Sequence, residues 1–431
     1  MRLTGFLRST PSLLGLATSL CLLGGGAQGA PSGEITVWSW NIAAEALDML
    51  VPDFNKQYPD VKVTVMNMGH GDVRDKALAG CAAGGTDLPD VVTIENSEAE
   101  VYWARFPDCF KNLKEFGVEK YMDAFPPFKW PELMAGDAVY SLPWDSGPAV
   151  FFYRRDLYEK AGVDPASIET WDDWMEAGKK VLDATGAKMG TMALGTDDEW
   201  FRMLANQRGC FYFDDKGEQV AVNQPGCVDA LETIKKIYDA GLLAVGDWGQ
   251  QIQNIKASAT ASALFGGWYE GTVRSNAPEQ AGQWGTYNIP AAESGGVRAA
   301  NIGGSSLAIS ASTDNPEAAW AYVEYALATV PGQISMLKNR GLVPSLLASL
   351  EDPYVKAPQE YWGGQPIWSE MLATMDQIPP YRGTQFYQEV RSTIMVKVVN
   401  DYLNGSHATA QEALDDAANQ ISAATGLPIM Q

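Results

Sequence analysis

Three short stretches decide the fold: ITVWSWN (residues 35–41), VKVTV (61–65) and LPDVVTIEN (88–96). The first alternates through Ile35, Thr36, Val37 and Trp38, the period-two pattern of a half-buried strand, which ends at Asn41. Val61, Val63 and Val65 share one face of a second strand, and Val91, Val92 and Ile94 form an unbroken apolar third. An apolar run of that kind suits a strand covered on both faces. Between the strands, Leu47, Leu50, Val51, Phe54 and Tyr58 recur at three- and four-residue steps, and Val73, Ala77, Leu78 and Cys81 form a second helical stretch. Pro52 is expected to kink or interrupt the first helix, because it has no N–H to close the ladder. A strand–helix–strand–helix–strand order makes a parallel sheet flanked by helices, the α/β class. Ligands of such sheets bind at the carboxyl ends of the strands, here residues 38–41, 67–71 and 95–97.

Further along, residues 140–164 run through Pro143, Gly147 and Pro148 into another apolar strand at 149–153, which reads as a crossover between two lobes. Thr170 and Asp173 resemble a capping pair ahead of a helix that Gly186 ends, with Trp171 and Trp174 assigned to packing. Between Cys210 and Cys227, FYF and QVAV flank Asp214, Asp215, Lys216 and Gly217, a hairpin signal. Helices are expected over 315–329, with Pro316 at the first helical position, and over 410–425 before Gly426.

At 431 residues the chain is long enough for two or three domains. With 46% apolar and 19% charged residues it lies far from the composition of disordered chains. The balance of 31 basic against 53 acidic residues, −22 overall, repels nucleic acid, anionic membranes and anionic solutes, so a neutral or cationic ligand fits better. Residues 1–29 read as an export signal: Arg2 and Arg8 precede the apolar run 13–23, and Ala27 and Gly29 offer a small-residue cleavage site. The run is too short to span a bilayer. Removing it takes Arg2 and Arg8 away and leaves 29 basic against 53 acidic residues, a net of −24. Leu20 before Cys21 is bulkier than a lipoprotein processing site wants, so a soluble periplasmic or extracytoplasmic protein is expected rather than a lipid-anchored one.

Four cysteines remain, Cys81, Cys109, Cys210 and Cys227. In an exported chain they suggest two disulfides, with three possible pairings. Cys81 with Cys109 and Cys210 with Cys227 are expected, because each pair staples a local stretch. No C-x-x-C spacing occurs, and no metal or cofactor is expected. With only His70 and His407, the chain has neither a zinc-protease motif nor a histidine-based triad. A pair of carboxylates for glycoside hydrolysis remains a rival reading, since spacing in space is not visible in sequence.

A sugar ring presents an apolar C–H face and a rim of hydroxyls, so its recognition needs flat aromatics for the face and planar amide, carboxylate or guanidinium groups for the rim. Trp40, Asn41, Glu45, Glu95, Asp145, Trp268, Glu270, Arg340, Trp362, Trp368, Arg382 and Tyr387 supply that mixture. Each also has a plainer reading, since tryptophan is more often core than ligand platform and a lone acid is usually solvated.

The mature chain resembles the extracytoplasmic sugar-binding proteins of ABC importers, the maltose-binding-like group. The resemblance rests on ITVWSWN, LPDVVTIEN, YSLPWDSGPAVFFYRRDLYEKAGVD (140–164) with TWDDW (170–174), ALFGGWYEG (263–271), NIGGSSLAIS (301–310) with NPEAAWAYVEYAL (315–327), RGLVPS (340–345) and WGGQPIW (362–368). No single stretch is decisive; their order and spacing are specific. It implies the two-lobed type II periplasmic-binding-protein fold, each lobe a sheet flanked by helices. Lobe 1 would comprise residues 30–146 and 304–338, and lobe 2 residues 147–303 and 339–431, joined by three hinge crossovers. It further implies a cleft holding Trp40, Asn41 and Glu45 at the end of the first strand, Glu95 at the rim and Asp145 beside the first crossover. Trp268 would be the stacking residue with Glu270 following it, Gly304 and Ser305 would approach ligand closely, and Arg340 would begin the third crossover. Trp362, Arg382 and Tyr387 would face the cleft from lobe 2. The implied activity is that of a monomeric, non-enzymatic solute-binding component that closes on a neutral mono- or oligosaccharide and docks on membrane permease subunits served by partner ATPases. A binding protein for a polyamine or a glycerol phosphodiester would share the fold.

Overall fold

The computed structural model describes residues 30–380 and 383–431, so the export-signal reading of residues 1–29 lies outside the described residues, as does Arg382. Two principal sheets are built from β1 (Gly33–Trp40), β2 (Val61–Met68), β3 (Val91–Glu95), β4 (Ser141–Pro143), β5 (Ala149–Arg154), β6 (Ser262–Gly266), β7 (Trp284–Asn288) and β8 (Ser305–Ile309). The first sheet runs β2-β1-β3-β8-β4, with β1 parallel to β2 and β3. Its other edge departs from the parallel expectation: β8 is antiparallel to both β3 and β4, because the chain re-enters this sheet from the opposite end. In the second sheet β5 is the middle strand, antiparallel to β6 and β7.

Alternation along β1 buries Ile35, Val37 and Ser39 on one face. Ile35 and Val37 pack with Leu47, Leu50 and Phe54 of the helix Asn41–Gln57 and with the helix Pro316–Leu327. The helix is not interrupted, since Asn41–Gln57 continues through Pro52. Pro52 sits on the exposed side, and so does Asp48, whose carbonyl loses its helical partner to the proline ring. Water can satisfy that carbonyl there, so the helix has no reason to break. The helix Trp171–Thr185 carries the expected reciprocal cap of Thr170 and Asp173, ends on a left-handed Gly186, and buries Trp171 and Trp174 among the aromatic residues under the second sheet. Thr185 is the last residue before that glycine, as sequence requires of an αL stop. The helices Pro316–Leu327 and Ala410–Thr425 also form where expected.

Three chain segments pass between the two sheets side by side. Ser146 N donates to Val343 O (3.0 Å), Ser345 N to Trp144 O (3.1 Å), Ala149 N to Ala300 O (2.8 Å) and Ile302 N to Gly147 O (2.9 Å). Their contact is backbone to backbone: a Cβ on Gly147 would stand 1.9 Å from the Ile302 carbonyl oxygen, so only glycine fits. Residues 31–431, which include both sheets and these crossings, form one compact unit.

Cys81 is bonded to Cys109 and Cys210 to Cys227. The second bond ties the short antiparallel turn around Phe213 and Val220 to the first turn of the helix Pro225–Asp239, so the expected hairpin is present only as an isolated bridge. Replacing both Cys210 and Cys227 by alanine is expected to cost about 3 kcal/mol, the chain-entropy value for a loop of this size. Urea unfolding of the double variant checks this, and an unchanged midpoint would mean that the surrounding buried aromatics alone hold the turn.

Candidate functional site

The carboxyl ends of β1 and β3 open onto a cavity of about 590 Å³, within the range of small-molecule sites. One wall comes from the first sheet: Trp40 and Asn41 where β1 turns into its helix, His70 at the start of the helix His70–Ala82, and Glu95 at the end of β3. The floor is the crossings, Trp144, Asp145 and residues 302–305. The facing wall belongs to the second sheet and its helices: Trp268 after β6, Trp248 at the start of Trp248–Lys256, Thr272 and Asn276 on Tyr269–Asn276, and the charged group Asp197, Glu199, Arg202 and Arg391.

Aromatic surface is present on both walls. Trp268 is half-buried; its indole Nε1 donates to Ile302 O (2.9 Å), which fixes the ring against a crossing, and glycine at 303 takes a positive φ of 79° with no room for a Cβ beside that ring. Trp248, 47% exposed, lies 6.2 Å from Trp268 at an interplanar angle of 36°, so the two indoles form one bent platform. On the opposite wall Trp40 meets His70 edge-on at 4.7 Å. Asn41 holds a left-handed backbone, φ 45°, a conformation that asparagine tolerates better than most residues and that concentrates at ligand sites.

Charges in the wall are compensated locally. His70 Nε2 lies 3.0 Å from Glu95 Oε2 and 3.7 Å from Glu98 Oε2, while Arg74 Nη1 lies 3.8 Å from Glu98 Oε1. Burial alone would raise the Glu95 carboxyl, but the His70 hydrogen bond and charge, with Arg391 and Arg202 nearby, hold it down at about 2. Glu98 goes the other way: burial and the Glu95 charge lift it to about 7. His70, Glu95 and Glu98 offer three metal-ligating atoms within 4.8 Å of one another, yet Arg74 and the imidazole already balance them. Arg202 donates from Nε to Asp198 (2.9 Å) and from Nη2 to Asp197 (2.8 Å), and Arg391 pairs with both aspartates. Arg391 begins a π-helical turn, Arg391–Met395, a widened geometry frequent at functional sites. Asp145 is buried by the crossing: Lys129 Nζ donates to its carbonyl (2.6 Å) and Ser305 N to its Oδ1 (2.7 Å), so its carboxylate ties the crossing segments together beside the cavity. Burial raises the Asp145 carboxyl and lowers the Lys129 ammonium.

Of the residues singled out from sequence, Trp40, Asn41, Glu95, Asp145, Trp268, Gly304 and Ser305 line this cavity. Arg382 lies outside the described residues, and the others are placed away from the cavity. Trp362 and Trp368 are 1% exposed and pack on the face of the second sheet opposite Trp171 and Trp174, where burying an indole is itself favourable. Glu270 is buried with them, accepting from Trp362 Nε1 (2.9 Å) and pairing with Arg274 (3.0 Å). Glu45 and Arg340 form an ion pair with each other (2.7 Å), joining the helices Asn41–Gln57 and Val330–Arg340 away from the cavity lining. Tyr387 stands behind the wall, buried, its hydroxyl accepting from Arg202 Nη1 (3.1 Å).

Sequence reasoning missed His70, Trp144, Asp197, Glu199, Arg202, Trp248 and Arg391. Two signals were available: the acidic run DDE (197–199) ahead of Trp200, and Trp248 directly after the helix-capping Asp247. Arg202 and Arg391 sit in helical stretches with no local mark of their role.

A family model described as bacterial extracellular solute-binding protein matches residues 39–330. The lactose-binding protein of Rhizobium radiobacter is 30% identical over 396 residues, covering 90% of this chain and 91% of that protein. An arabinooligosaccharide-binding protein of Bacillus subtilis (strain 168) is 27% identical over 406 residues, 90% of this chain and 92% of that one. Among solved structures, the ABC transporter associated binding protein from B. animalis subsp. lactis Bl-04, in complex with beta-1,6-galactobiose, is similar at TM-score 0.78 and 26% identity, covering 93% of this chain and 100% of that chain. The GacH receptor of Streptomyces glaucescens shares the fold at TM-score 0.78 and 21% identity, over 91% of this chain and 98% of that one.

Proposed function

Since this chain belongs to the bacterial extracellular solute-binding protein family, we propose that it is the substrate-binding component of an ABC sugar importer, capturing an uncharged mono- or oligosaccharide between its lobes and delivering it to a membrane permease. The observation that carries this reading is the cavity itself, with Trp40 on one wall, Trp248 and Trp268 on the other, and polar groups around them. The names of relatives support it: lactose-binding, arabinooligosaccharide-binding and maltotriose-binding proteins.

Lobe 1 is residues 30–146 with 304–338, and lobe 2 residues 147–303 with 339–431. The division is supported by the strands, since β1 to β4 and β8 make one sheet while β5 to β7 make the other. The three hydrogen-bonded crossings act as the hinge. Closure lowers free energy only if the ligand touches both walls, because a ligand bound equally well by open and closed forms shifts nothing. Residues 1–29 direct export and are removed, and the mature monomer works outside the cytoplasmic membrane without altering its ligand. Among the described residues no helix is long and apolar enough to cross a membrane.

A thermal-shift panel tests the reading. Lactose, arabinotriose, maltotriose and β-1,6-galactobiose, with spermidine and a glycerol phosphodiester as controls, are added at millimolar concentration. A sugar at 100 times its Kd should add about 2.7 kcal/mol of stability by mass action. A shift with spermidine alone would replace the sugar reading, and release of reducing sugar from any oligosaccharide would replace binding by hydrolysis.

A further inference from the structure

Glu199 opens the helix Glu199–Gln207 and lines the cavity from the second sheet's side. It is 8% exposed, and its Oε1 is buried with no hydrogen-bond partner. The cations that could neutralise it are engaged elsewhere. Arg202 is spent on Asp197, Asp198 and the Tyr387 hydroxyl, and Arg391 on Asp197 and Asp198. Tyr269, the other titratable group facing it, is buried with its hydroxyl also unpartnered. Across the cavity stand Glu95 and His70, paired with each other. A buried polar atom with no partner is costly unless something arrives to bond it, and here the open side is the ligand cavity.

We propose that Glu199 hydrogen-bonds a hydroxyl of the bound sugar; this rests on the sugar reading above. Burial, aided by the Asp197 charge and opposed by Arg202 and Arg391, pushes the Glu199 carboxyl up to about 8. At neutral pH the group is therefore a carboxylic acid, able to donate one hydrogen bond and accept another, as a hydroxyl does. Glu95, held ionised on the opposite wall, only accepts.

Calorimetry with the tightest-binding sugar among lactose, arabinotriose, maltotriose and β-1,6-galactobiose tests this on the full mature chain. Glu199→Leu should weaken binding tenfold or more; because it also removes the acceptor of the Ala193 backbone N–H, circular dichroism and a thermal melt check that the free protein stays folded. Glu199→Gln, which restores a donor and an acceptor, should bring affinity at pH 7 back to within about threefold of wild type. As pH rises through the folded-state value of Glu199, the proton needed for donation is lost, so wild-type affinity should fall about tenfold between pH 7 and 9 while that of Glu199→Gln stays level. Wild-type affinity in a folded Glu199→Leu protein, or equal pH profiles for wild type and Glu199→Gln, would overturn the inference and leave the sugar reading standing. If the wild type binds none of these sugars but binds spermidine, the sugar reading fails first and the assignment of Glu199 falls with it.

Discussion

Trp268→Ala is expected to weaken sugar binding more than 100-fold and to leave the protein folded at 25 °C. The indole is fixed in place. Its Nε1 is tied to the Ile302 carbonyl, one edge rests on Phe265 at 5.8 Å, and Trp248 continues its surface. A rigid ring loses little entropy when a ligand covers it, so most of the contact energy is realised as affinity. Covering about 100 Å² of apolar face is worth about 2.5 kcal/mol, and C–H contact with the ring adds of order 0.5 kcal/mol, together about 3 kcal/mol. Every 1.4 kcal/mol is tenfold in Kd, which sets the expected loss. Calorimetry measures it, with circular dichroism as the control for fold. Trp268→Phe should recover part of the affinity, because the ring face survives while the hydrogen bond to the crossing is lost. Unchanged affinity in Trp268→Ala would remove this residue from the site and shift the stacking role to Trp40 and Trp248.

Asp198→Ala should destabilise the protein by about 3–5 kcal/mol, the scale seen when one partner of a buried ion pair is deleted. Asp198 is fully buried and accepts from Arg202 Nε (2.9 Å) and from the Tyr212 hydroxyl, with Arg391 Nε at 3.5 Å. Its removal strands the Arg202 guanidinium, itself only 9% exposed, with Asp197 as its remaining carboxylate. Urea unfolding gives the magnitude. Because Arg202 and Arg391 both reach the cavity wall, sugar affinity should fall as well. A loss below about 1 kcal/mol would mean that water or a shifted side chain takes over the acceptor, as happens at exposed pairs.

These two residues differ in how far sequence could reveal them. Trp268 stands in GGWYEG, where glycines on one side leave the ring room and mark a loop after an apolar strand. Asp198 lies in the acidic run DDE, and although Trp200 behind it marks the stretch, no local feature shows which of its carboxylates is fully buried, whereas Asp214 and Asp215 sit in a turn. Trp362 and Trp368 show the opposite failure. Trp362, beside Gly363 and Gly364, has a loop setting like that of Trp268, and Trp368 follows in the helix Ile367–Leu372, yet both indoles turn into the core against the second sheet, with Glu270 held between Trp362 and Arg274. Arg340 and Glu45, each plausible as a ligand contact, are occupied by one another across two helices that sequence places 295 residues apart.

By itself the sequence determined the α/β class, the first three strands of the first sheet with the helices between them, the helix caps at Thr170 and Gly186, and the two local disulfides. These follow from periodicity and short-range bonding, which act between residues a few positions apart and leave a repeating mark. Only the tertiary structure decided which tryptophans face the cavity, that β8 enters the first sheet antiparallel, and that Glu199 is buried with an oxygen unpaired. Those outcomes depend on contacts between residues far apart along the chain, and a side chain's exposure there is set by what the other segments leave uncovered, which no local period encodes.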